Sequence, residues 1–164
     1  MKKLKEYTPL EDLSSILPIL DKISIFGGLN REQLQFLFSS LKKTVFAKNE
    51  IIFKQGEMPT HIYIIRSGKV KLVIEAGHTN LELIEFDTGK SFGETALIGM
   101  QPQTATAVAT EETEIIVLSS TALMECLKSD KELFAIIVLN IARDMCRRLG
   151  RSDNILLHYF KDKK

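Results

Sequence analysis

The chain is short of the residues and runs that most often carry chemistry. Its 164 residues include two cysteines, Cys126 and Cys146. Both fall inside apolar helical patterns and no CxxC occurs, which fits reduced packing residues in a cytoplasmic protein and not a thiolate metal site. The three histidines, His61, His78 and His158, are scattered, so no imidazole cluster offers itself to a metal or haem. There is no P-loop and no GxGxxG, no serine lies in a nucleophile-elbow sequence, and no carboxylate pair has a catalytic setting. A non-enzyme is therefore expected, with neither catalytic residues nor a metal site. The longest apolar run, Leu133 to Leu139, is too short to span a bilayer. The lysines near the start are not followed by the apolar stretch of a signal peptide. A net charge of +1 supplies no global field toward nucleic acid or membrane, and neither is expected as a partner. The lysines at the two ends (Lys2, Lys3 and Lys5; Lys161, Lys163 and Lys164) read as solvated tails.

What is present suits one domain with a sizeable core: 45% hydrophobic and 26% charged residues. The period divides it into three stretches. Residues 1–42 read as N-terminal helices. Thr8 is the expected N-cap with Pro9 in the first turn and Glu11 reaching back, and Leu10, Leu13 and Leu17 mark one face. Pro18 ends or kinks that helix. Asn30 with Gln33 predicts a second cap before Leu34, Leu37, Phe38 and Leu41. Residues 43–118 switch to short β-branched segments separated by turn signals such as Lys48-Asn49, Ser67-Gly68, Ala76-Gly77 and Thr88-Gly89. Asn49 is expected to tolerate a positive φ. Pattern alone predicts a small β-barrel or sandwich with helices at both ends. Residues 119–164 read as C-terminal helices: Ser119 or Ser120 caps a short one, and Ser129 with Glu132 is the expected capping box of a long one over about 130–149. That helix is apolar around most of its circumference, which predicts burial on two sides, one of them against a second copy of itself. The alternative cover is its own segment Ile155 to Phe160.

The most informative stretch is Ser91 to Val108, SFGETALIGMQPQTATAV. It reads as turn, one helical turn, loop and strand. Gly93 leaves no Cβ in the way, so the backbone is expected to come close to whatever binds. The start of the helical turn leaves unpaired N–H groups, and Glu94 places a carboxylate there that can accept from a sugar hydroxyl.

Phe92, Gly93, Glu94, Ala96, Leu97, Thr104 and Ala105, with Pro102, resemble the phosphate-binding cassette (here 91–105) of cyclic-nucleotide-binding domains of the catabolite activator type. Tyr63-Ile64-Ile65, Gly68 and Val70 match a second family feature, so that the resemblance runs from about Ile23 to Leu149. It implies a mainly β fold with flanking helices: a double-stranded, jelly-roll-like β-roll preceded by helices and closed by a long C-terminal helix. It implies a signal-sensing regulatory domain whose ligand is a cyclic nucleotide, cAMP or cGMP, with no cofactor required. Its site would comprise Gly93, Glu94, Thr95, Ala96, Leu97, Gln103, Thr104 and Ala105, with Leu72 and Leu83 as apolar walls. Glu94 would take the ribose 2′-hydroxyl, the N–H groups of Ala96 and Leu97 the phosphate, and residues in Arg147 to Ser152 the base. Relatives with a helix-turn-helix reader need far more than the fourteen residues that follow Gly150, so no DNA-binding domain is expected.

One position departs. The family's phosphate-binding arginine falls on Gln103, which keeps a donor and loses the charge. A hydrogen bond to a charged group contributes roughly 1.5–3 kcal/mol, a factor of about ten to more than a hundred in affinity. Three readings stay open. A cyclic nucleotide binds more weakly or with a substitute cation from Arg147, Arg148 or Arg151; a less charged ligand binds; or the fold serves as a ligand-free dimerisation scaffold.

Overall fold

The computed structural model describes residues 5–10, 14, 16–77 and 79–161. Two antiparallel sheets face each other. One has the order β1 (Thr8–Pro9), β2 (Lys42–Phe46), β9 (Thr113–Ser119), β4 (His61–Ser67), β7 (Ser91–Phe92). The other runs β3 (Ile51–Phe53), β8 (Thr106–Ala109), β5 (Val70–Ala76), β6 (Thr79–Phe86). Helices flank the roll: α1 (Arg31–Ser40), α2 (Glu94–Gly99), α3 (Ser120–Ser129) and α4 (Lys131–Lys161). The expected β-roll with a long C-terminal helix is the fold observed.

Strands β4 and β9 explain the uninterrupted apolar runs Ile62–Ile65 and Ile115–Leu118. Each is buried on both faces, so neither shows the alternation of a half-exposed strand. Ile62, Ile64, Ile116 and Leu118 join a core shared with the helices. Tyr63, Ile65, Ile115 and Val117 turn the other way, into the roll.

Local chemistry sets most element ends. Asn30 accepts from the Gln33 N–H at 2.9 Å while Gln33 Oε1 accepts from the Asn30 N–H, the expected capping box. Ser119 Oγ accepts from Ala122 N–H at 3.1 Å and caps α3. Asn49 adopts φ 67°, as its place in the turn predicts.

The N-terminal stretch and the ends of α4 differ from expectation. Thr8 and Pro9 do not start a helix; they pair with Lys43 and Lys42 at the edge of the first sheet, where a proline without an N–H is tolerated. Leu10 N–H donates to Leu41 O at 3.1 Å, and a 3-10 turn follows at Leu17–Lys22; Leu13 lies outside the described residues. The cap of α4 is Asp130, whose Oδ1 accepts from Leu133 N–H at 2.9 Å, and not Ser129, which ends α3. Helix α4 also continues past Leu149 to Lys161, 31 residues in all. Gly150 costs such a helix about 1 kcal/mol relative to alanine, too little to stop it. Among the described residues no helix is long and apolar enough to cross a membrane.

Candidate functional site

Strand β7, Gly93 and helix α2 carry the first half of the cassette. Gly93 has φ 80° and forms the left-handed entry to α2. A Cβ there would sit 2.9 Å from Cδ2 of the Tyr63 ring and 3.3 Å from the His61 carbonyl. The glycine is thus required by the protein's own packing. Behind it the aromatic rings form a column. Phe92 stacks on Tyr63 at 5.3 Å and on Phe86 at 6.2 Å, so β7 cannot shift without disturbing β4 and β6. Burial, with Tyr7 beside it, raises the Tyr63 pKa, which keeps that hydroxyl neutral.

Glu94 follows directly and is fully buried. Its Oε1 accepts from Arg148 Nη1 at 2.6 Å. Arg148 comes from α4, and its Nη2 donates to the Ser91 carbonyl at 2.6 Å and to Asp144 Oδ2 at 3.4 Å. The guanidinium lies over the Phe86 ring, 5.0 Å from its centre. Asp144 is held in turn by the Ser24 hydroxyl at 3.2 Å and by Arg147 at 2.5 Å. Burial alone would raise the Asp144 pKa; the Arg147 hydrogen bond, the Arg148 charge and the Ser24 hydroxyl outweigh it and leave it below its ordinary value. The N-terminal segment, the C-terminal helix and the cassette therefore meet in one chain of charge-assisted hydrogen bonds, Ser24–Asp144–Arg148–Glu94. Asn140 adds a neutral anchor one turn earlier, donating to the carbonyls of Ile25 and Gly27 at 3.3 and 2.7 Å.

The second half of the cassette is pinned by backbone. Gln103 N–H donates to Glu57 O at 2.9 Å and Gln103 O accepts from Gly56 N–H at 2.8 Å. The Gln103 side chain is buried, Ala105 is buried, and Thr104 is exposed. In the first half, Ala96 is buried, Leu97 half-buried and Thr95 exposed. Leu97 N–H donates to Gly93 O at 3.3 Å to close the first turn, so it is not the free donor expected for a phosphate. Leu72 on β5 stands opposite Ala107 of β8 and Ile84 of β6. The pairing skips Leu83 at an irregularity, so that Ile84 is the residue across from Leu72; Leu83 and Ile84 are both exposed, like the rest of β6 before Phe86.

Arg148 was one of three candidate cations in the sequence, and only the folded chain selects it. Its partners Asp144 and Phe86, and Ser24 behind Asp144, are residues that sequence reading did not single out. The spacing of Asp144, Arg147 and Arg148 at i, i+3 and i+4 is the one local signal that pointed there.

This geometry has relatives. The model of the cyclic nucleotide-binding domain matches residues 43–130. A potassium channel of Arabidopsis thaliana (KAT1) is 31% identical over 76% of this chain, which spans 18% of the channel's length. The structure of the Thermus thermophilus catabolite activator protein superposes with a TM-score of 0.71 at 28% identity, over 81% of this chain and 61% of that one. A cyclic nucleotide-binding domain from Methylobacillus flagellatus gives a TM-score of 0.78 at 24% identity over 87% of this chain and 82% of its own. The chain belongs to the cyclic nucleotide-binding domain family.

Proposed function

We propose that this chain is a regulatory, signal-sensing module that binds a cyclic nucleotide or related small ligand at Gly93, Glu94, Thr95, Ala96, Leu97, Gln103, Thr104 and Ala105, with Leu72 and Leu83 as apolar walls, and reports occupancy through α4. The observation that carries this reading is the Arg148–Glu94 contact. A ligand that engages Glu94 competes with, or is completed by, a residue of the helix itself, so occupancy and helix position are linked. We place the module in the cytoplasm, with no catalytic role and no direct contact with nucleic acid or bilayer.

The helix's outer face supports a second copy of the chain as its partner. Val138, Ala142, Met145 and Leu149 recur at intervals of four and three and line, with Ile98 of α2, a groove of about 570 Å³. Leu139 and Leu149 are 50% and 64% exposed within one chain. The same groove reaches α2, so a dimer built on it would sense the cassette.

A ligand-free scaffold is the competing reading, favoured by the missing charge at Gln103 and by Glu94 already having a cation. Thermal melting with millimolar cAMP and cGMP separates the two. A ligand at about 100 times its Kd adds about 2.7 kcal/mol, and a clear rise in Tm is expected; an unchanged Tm with both nucleotides and with cyclic dinucleotides supports the scaffold.

A further inference from the structure

The segment Lys5 to Leu10 crosses the edge of the first sheet as a strap. Its burial alternates as a strand's does: Lys5 and Tyr7 are half-buried, Glu6 and Thr8 are exposed, and Leu10 is buried at the end. Pairing of Thr8 and Pro9 with β2 sets its course. Lys5 Nζ donates to Glu50 Oε1 at 2.6 Å and lies over the Phe46 ring, 4.5 Å from its centre. Tyr7 stacks on His61 with 5.0 Å between ring centres, and its hydroxyl shares a hydrogen bond with that of Tyr63. Tyr7 also packs against the core inside the roll.

Tyr63 is where the strap meets the cassette. Its ring lies against the Gly93 backbone and stacks on Phe92 at 5.3 Å. Phe92 stacks on Phe86, and Phe86 carries the Arg148 guanidinium. Rings of β4, β7 and β6 thus form one column from Tyr7 to α4. A ring packed against neighbours on both sides does not move alone. The strap is the weak end of this column. It is held by a two-residue ladder, a partly exposed ion pair and a half-buried ring, whereas Ile62 to Ile65 of β4 are all buried. It can therefore lift while the roll stays folded.

We propose that the strap is a second handle on the cassette: docked, Tyr7 holds Tyr63 beneath Gly93, and lifted, it loosens the turn from Phe92 into α2. Tyr7 is then a positioning residue that acts through Tyr63, whether or not the cassette takes a ligand. Hydrogen–deuterium exchange of the full chain, its Tyr7→Ala variant and its Tyr7→Phe variant tests this. Residues 91–99 are expected to exchange about tenfold faster in Tyr7→Ala, while residues 131–141 of α4 keep the parent's rate. Tyr7→Phe keeps a ring on His61 and should recover most of the protection. Exchange over 91–99 that matches the parent in Tyr7→Ala overturns the inference. So does an acceleration shared equally by 91–99 and 131–141, the mark of a general loss of stability. If Tyr7→Ala does not fold, Lys5→Glu decides in its place: it sets two carboxylates against each other at the strap's other anchor and leaves the ring column intact. Faster exchange confined to the strap and 91–99 is expected, and parental exchange over 91–99 overturns the inference.

Discussion

At the scale of single residues, Arg148 and Glu94 decide the character of the site. Glu94 is fully buried and has one cationic partner among the described residues. Removing one member of such a pair leaves the other uncompensated. Arg148→Ala is therefore expected to destabilise the fold by about 3 kcal/mol, and Glu94→Gln in the same chain to restore much of that loss by removing the stranded charge. Urea unfolding of the two single variants and the double variant measures the coupling; strictly additive losses would show that the pair contributes no mutual stabilisation. Gly93 and Glu94 were both legible in the sequence, because a Phe-Gly-Glu run before a helical turn has few other uses. The reason for Gly93 was not, since only the fold brings the Tyr63 ring under it.

At the scale of elements, α4 joins the two ends of the chain. Asp144 is its pivot, bonded to Ser24 of the N-terminal segment and to Arg147 and Arg148 of the helix. Its folded pKa lies below the ordinary 3.8. A lowered carboxyl contributes stability that is present in full above the unfolded value and declines as pH falls through the folded value. Tm should hold through neutral and mildly acidic pH and drop below about 3.8, the unfolded reference for Asp144. Asp144→Asn should lower Tm at pH 7 and flatten part of the acid decline; circular-dichroism melts between pH 2 and pH 7 check both. An Asp144→Asn chain with the parent's Tm at pH 7 would show the pivot to be idle. The capping residues of α1 and α3 were readable because a cap is local. The cap of α4 was misplaced by one residue because Ser129 and Asp130 are equally good candidates, and the end of α3 at Ser129 left Asp130 free for the role.

At the scale of the whole molecule, α4 leaves Leu139 and Leu149 exposed within one chain. If a second copy covers them, the chain sediments as a dimer. Leu149→Glu should then yield a monomer whose secondary structure and unimolecular stability are retained, since Leu149 is 64% exposed within one chain. Sedimentation velocity across a concentration series reads this directly, and a wild-type monomer at every concentration would overturn the dimer. Two separate cores hold the remainder together, one inside the roll and one between roll and helices, with β4 and β9 shared by both.

From the strands of the roll onward, the alternation of helices and strands was legible in local pattern, in turn residues, caps and hydrophobic period, while the cassette with its neutral position 103 was read from a family resemblance. The N-terminal strand, the choice of Arg148 over Arg147 and Arg151, and the pairing of Leu72 with Ile84 were decided by tertiary structure alone. Each depends on which distant segment supplies the partner: an unpaired sheet edge for Thr8 and Pro9, a buried carboxylate for Arg148, a strand irregularity for Leu72. Such partners are set by packing in three dimensions, and no window of the chain contains them.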